Sequence, residues 1–133
     1  MIKLISIVFY VSLLLSCGNT NSISKVEKIN DDIMRLHDEA MSKSSYILKL
    51  KKNTNNKLDS LSNLSLKDTF QHLSAELYRA DRAMLDWMHQ YNEPNMKSDT
   101  AEKYLQEQLV EIKKVHTLTF KSIQNAERIL DEK

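Results

Sequence analysis

The chain has 133 residues, with 19 Lys and Arg set against 18 Asp and Glu, and one cysteine, one proline and one glycine. That length holds at most one domain. The balanced charge supplies no basic field to draw nucleic acid, and a lone cysteine excludes an intrachain disulfide or a thiolate metal cluster.

In chain order, residues 1–16 read as a leader rather than as part of the fold. Lys3 makes a positive start, and Ile5 to Leu15 is an apolar run too short to act as a stop-transfer helix. The run closes in Leu14-Leu15-Ser16-Cys17-Gly18. This junction resembles the bacterial lipobox, in which a small residue precedes an invariant cysteine. The resemblance implies cleavage before Cys17, acylation of its thiol and a membrane anchor through the lipid. A secretory signal or membrane anchor with a chance cysteine is the alternative. Residues 17–23 are uncharged and read as the lipidated cysteine and a short tether. No acidic residue follows Cys17 closely, so the expected location is the outer membrane, facing the periplasm. Loss of Lys3 with the leader evens the basic and acidic counts.

From residue 24 to 133 the expectation is an all-α domain, three long antiparallel helices in an up-down-up bundle. After Gly18 there is no glycine, and Pro94 is the one proline, so a fold of strands and tight turns is disfavoured. The spacing predicts helix over about 24–57, 65–92 and 99–131. Ser24 and Glu27 have the capping-box spacing, followed by Val26, Ile29, Ile33, Leu36, Ala40, Ile47 and Leu50 at the helical period. Asn53 to Asn56 weakens the first helix, and an asparagine there is expected to take the left-handed capping role. The second helix is expected to start near Ser65, with Asp68 three residues on. Its face carries Leu66, Phe70, Leu73, Leu77, Ala80, Met84, Trp87, Met88 and Tyr91. A turn over Asn92-Glu93-Pro94-Asn95 ends it. The third helix is expected to start near Asp99, with Leu105, Leu109, Ile112, His116, Thr119, Ile123, Ala126 and Leu130 on its face.

Helical rotation places His37 and Met41 on the apolar side of the first helix and Met84 and Met88 at the centre of the second, while His89 points to solvent. Antiparallel pairing about a link near residue 62 sets His37 opposite Trp87 and Met41 opposite Met84. A second link near 95 sets Trp87 level with Lys103 and Tyr104, and puts His116 about two turns away, near Leu73 and Leu77. Five of the six methionines lie beyond the leader, all toward one end. Two explanations stand. Methionine fills irregular gaps between helices and packs well on Trp and Tyr rings. Alternatively, His37, Met41, Met84 and Met88 form a soft ligand set suited to Cu(I), with the i,i+4 His-Met pair aimed at one ion.

His37-Asp38-Glu39-Ala40-Met41, together with Ala80-Asp81-Arg82-Ala83-Met84-Leu85-Asp86-Trp87-Met88, resembles a group of small helical lipoproteins of Bacteroidetes type, some labelled "viral A-type inclusion protein". With the lipobox, the resemblance covers most of the chain. Where that pattern often has proline after the first-helix methionine, this chain has Ser42. The resemblance implies an envelope lipoprotein without an established activity, and it implies no copper.

The acids of these motifs are expected mostly on solvated faces; Asp81 would otherwise pair with a first-helix lysine such as Lys43 or hold a histidine tautomer. The enzyme class is disfavoured. There is no Gly-rich phosphate loop, no HExxH and no Ser-His-Asp pattern. The leading expectation is therefore a non-catalytic binding or structural module with no cofactor, held to the membrane by its lipid. Its partner would be another protein or a second copy, and Tyr46, Tyr78 and Leu85 would lie outside the core. The alternative is a periplasmic Cu(I)-binding protein.

Overall fold

A computed structural model describes residues 20–131; the expected leader and Cys17 lie outside the described residues. Four helices follow in order: α1 Thr20–Met41, α2 Ser44–Ser60, α3 Leu64–Gln90 and α4 Ala101–Asp131. The described residues are all-α, with the helices packed against one another and no strand. No helix among them is long and apolar enough to cross a membrane.

The expected first helix is two helices. Around Ser42 the hydroxyl donates to the carbonyl of Glu39 at 2.6 Å. That carbonyl is the acceptor the amide of Lys43 would use in a continuous α-helix. Lys43 N–H turns instead to Ala40 O at 3.0 Å, one residue closer. A serine hydroxyl that competes for a backbone carbonyl, followed by a tightened i→i−3 step, is a known cause of helix breaks. The α ladder resumes where Ile47 N–H donates to Lys43 O at 2.9 Å. Four polar residues, Ser42 to Ser45, give this stretch little intrinsic helix preference to resist the break.

The other boundaries also differ from the expected ones. α1 begins at Thr20, ahead of the Ser24–Glu27 pair. α2 runs through Asn53 to Asn56 and ends at Ser60, with an extended Leu61 as its cap. No residue takes the left-handed conformation among those described, so no asparagine caps in that way. The cap of α3 is Asn63, whose side chain accepts from Leu66 N–H at 3.2 Å. Before α4, Asn95 and Ser98 close the link by accepting from the amides of Lys97 and Thr100.

The break also divides the core. α1 contributes Val26, Ile33, Leu36 and Ala40 to one cluster, with Met84, Trp87, Leu105 and Ile112. α2 contributes Ile47 and Leu50 to a second, with Leu73, Leu77, Ile123 and Ala126. Between α2 and α3, Lys51 and Asp81 pair at 2.8 Å, both about three-quarters buried, so Asp81 does take a lysine of the expected first helix, Lys51 in place of Lys43. Tyr78 and Leu85 are exposed as expected. Tyr46 instead packs against the second cluster and donates to Glu127 at 2.9 Å.

Two substitutions should move stability in opposite directions. Leu77 is fully buried, and Leu77→Ala should cost about 2–5 kcal/mol through the cavity it leaves. Thr54 is equally buried, and its hydroxyl has no hydrogen-bond partner among the described residues. The near-isosteric Thr54→Val should therefore raise stability by about 1 kcal/mol. Urea unfolding followed by helical circular dichroism checks both; a destabilised Thr54→Val would mean that the hydroxyl is satisfied in solution.

Candidate functional site

The residues that distinguish one end of the molecule are its methionines and aromatic rings. Met84 is buried in the first cluster, and Met34, Met41, Met88 and Met96 pack against it. The second cluster contains no methionine among the described residues. Helical spacing on α3 puts Met84, Trp87, Met88 and Tyr91 on the side that meets α1 and α4.

A row of rings crosses this end. His37 lies 5.5 Å from Trp87, Trp87 stacks on Tyr91 at 4.9 Å, and Tyr91 lies 6.3 Å from Tyr104. The expected pairing of His37 with Trp87 is present. Trp87 itself is buried, and its indole N–H has no hydrogen-bond partner among the described residues. Tyr91 donates to Asn30 Oδ1 at 2.8 Å, and the Tyr104 hydroxyl accepts from Asn92 N–H at 2.9 Å. Burial, and after it the neighbouring Tyr104, holds the Tyr91 phenol above its ordinary titration range.

The four residues expected to bind a soft metal divide into two groups. Met41 and Met84 line one cavity of about 120 Å³ at the break, with Ser44 and Asp81 also on its wall. Met41 Sδ accepts from Ser44 Oγ at 3.6 Å. His37 and Met88 do not line that cavity. His37 packs on Trp87, and its Nδ1 lies 3.0 Å from the exposed carboxylate of Asp38. Among the described residues no three His, Cys, Asp or Glu side chains group to hold a metal ion. What the geometry brings together is a pair of thioethers beside a small cavity. Such sulfurs serve as soft donors or as adaptable packing.

His116 is displaced from its expected place near Leu73 and Leu77. Its Nε2 lies 3.0 Å from Glu39 Oε2, and its ring packs on Phe120 at 4.5 Å. Glu39 Oε1 also accepts from Arg35 at 2.8 Å. An antiparallel count from two link centres misplaced α4 along its axis. Trp87 shares a hollow with Gln108, Glu111 and Val115 rather than lying level with Lys103. The Arg35–Glu39 pair at i,i+4 was legible in the sequence; its third member was not, because α1 and α4 meet only through the tertiary fold.

The Arg35 guanidinium, and after it His116, holds the Glu39 carboxyl below its ordinary value. A depressed carboxyl contributes stability that is complete above its unfolded-state pKa and is lost as pH falls through the lowered one. In Glu39→Gln, the urea midpoint should fall less steeply than in the parent chain between about pH 5 and about pH 3. Because the pair is exposed, the difference should be small, and identical slopes would remove Glu39 from the acid response.

Comparison with protein-family models, with curated proteins and with solved structures finds no match.

Proposed function

We propose that the chain is a membrane-anchored envelope lipoprotein whose helices act as a non-catalytic binding module. In this reading Cys17 carries the lipid and the envelope location is the periplasmic face of the outer membrane. The helices form an up-down-up bundle in which α1 and α2 together make the first arm. The observation that carries the reading is the leader-like segment ending at Ser16-Cys17-Gly18, followed closely by a helix that begins at Thr20. A lipid on Cys17 would hold the helical domain within a few residues of the bilayer surface. Two α1–α4 contacts, Lys25 with Glu102 and Glu39 with His116, each span 77 residues, which supports the first and third arms running in the same direction. The break at Ser42 falls where the resembled lipoproteins often carry proline, a residue that interrupts helices by another route.

Growth of a bacterial host with an alkyne-labelled fatty acid should label the full chain at Cys17, and Cys17→Ser should abolish both the label and recovery in the membrane fraction. An unlabelled parent chain would end the lipoprotein reading.

The segregation of all the described methionines into one cluster, with Met41 and Met84 on a shared cavity, favours a second reading: a Cu(I)-binding protein with Met41 and Met84 as its thioether donors, without the His37 and Met88 that the sequence had grouped with them. Competition with a colorimetric Cu(I) chelator should then show one tight equivalent, lost in Met41→Leu and in Met84→Leu. Competition that is absent, or indifferent to both substitutions, would return these sulfurs to packing.

A further inference from the structure

α3 and α4 lie side by side, and the groove between them follows a repeat on both walls. On α3 it is lined by Glu76, Arg79, Ala83, Asp86, Trp87 and Gln90; on α4 it is lined by Gln108, Glu111, Lys114, Val115, Leu118, Lys121, Ser122 and Asn125. Steps of three and four residues recur on both helices, with Trp87, Lys114 and Lys121 as adjacent residues that widen the walls. This is the spacing by which a helix presents one continuous seam to a neighbouring helix. Two such seams flank one groove of roughly 21 Å at 1.5 Å per residue. Its hollows, about 290 and 500 Å³, meet at Leu118.

The groove also has a sign. Two of its three carboxylates are ion-paired, Asp86 with Arg82 and Glu111 with Lys114, and Glu76 accepts from the neutral amide of Asn125 and keeps its charge, one negative against three unpaired cations. Arg79 and Lys121 line the groove at the Leu118 end, and Lys113 adjoins Leu118 on the outer face of α4. None of these three has an ion-pair partner among the described residues. Val110, 53% exposed, extends the apolar strip beside them.

We propose that this groove binds an acidic amphipathic helix of a partner protein, which lies between α3 and α4 as an additional helix. Small or apolar residues of the partner would meet Ala83, Val115 and Leu118, and its carboxylates would meet Arg79, Lys113 and Lys121. The proposal rests on the binding-module reading and supplies its partner class. A second copy of the chain fits less well. A two-fold contact sets the same basic patch against itself, and like charges across an interface are repelled. A bilayer fits less well too, because Val115, only 8% exposed, and the Leu118 floor lie between flanking helices. A helix reaches such a floor; a flat surface does not.

The test uses the full chain in a non-ionic detergent and a fluorescent three-heptad helical peptide. The peptide carries Leu and Ala along its seam, Glu on its flanks and no tryptophan; a second peptide has Lys in place of Glu. The Glu peptide should bind in a salt-dependent way and shift the emission of Trp87, which lines the groove and is the one tryptophan. Arg79→Glu with Lys121→Glu should weaken it by roughly tenfold or more and admit the Lys peptide. Both positions are on the surface, and unchanged helical dichroism would confirm folding. Equal binding of the two peptides, or indifference to the charge reversal, would overturn the proposal. So would stronger binding to phosphatidylglycerol vesicles than to the Glu peptide through the same residues, or a dimer in sedimentation that the reversal abolishes. Fatty-acid labelling at Cys17 is independent of every one of these outcomes, so loss of the groove partner and loss of the anchor are told apart.

Discussion

The hydrogen bond from Ser42 Oγ to the carbonyl of Glu39 shapes much of the architecture. It takes an acceptor out of the α ladder, and the amide of Lys43 closes on Ala40 instead. Once the rod breaks there, its two parts serve different cores. α1 packs chiefly on α4, and α2 packs chiefly on α3. The separation between contacting residues of the first arm and α4 rises from 77 before the break to 81 after it, a change of about one helical turn. The cavity lined by Met41 and Met84 sits at this joint, where the helices change neighbours and packing is least regular.

Methionine at one end follows from the same irregularity. An unbranched thioether adapts to gaps that Leu or Ile would leave empty, and its sulfur rests well against aromatic rings. The first cluster has the rings: His37, Trp87, Tyr91 and Tyr104 form a row across it. The second cluster is closed by aliphatic side chains at regular spacing and contains no sulfur among the described residues. One end is thus soft and polarisable, and the other is conventionally packed. Either use proposed for the soft end, packing or metal binding, draws on that polarisability.

The surface is similarly uneven. Many ion pairs lie within one helix at i,i+3 or i,i+4 spacing and are exposed, where such pairs are worth little. Among the described pairs that bridge helices, Lys51–Asp81 joins α2 to α3 and is more buried than Lys25–Glu102 or Glu39–His116. Arg79, Lys113 and Lys121, which enter no ion pair among the described residues, stand beside the α3–α4 groove. An overall balance of charge in a sequence therefore coexists with a local excess, because folding decides which acids are consumed by their own helix.

By itself the sequence determined the all-α class, the amphipathic faces and most of the core, because 3.6-residue periodicity is a local property that survives in any packing. It also determined the pairing of His37 with Trp87, which needs only the position of a short link, and it carried the Ser16-Cys17-Gly18 motif in plain text. The structure revealed the break at Ser42, since the helical period of Ala40 and Ile47 continues on either side of the polar stretch from Ser42 to Ser45 and a local competition for one carbonyl interrupts the helix. It decided that Asn63 caps α3, that Asp81 finds Lys51, and that His116 meets Glu39 rather than the Leu73–Leu77 region. It also separated His37 and Met88 from the cavity of Met41 and Met84, and placed two heptad-spaced rows along one groove. The break and the cap turn on local competition for single backbone groups; in the other cases the missing quantity is the axial shift and rotation of one helix against another. Those are fixed by the packing of side chains from distant parts of the chain, which no single-helix pattern contains.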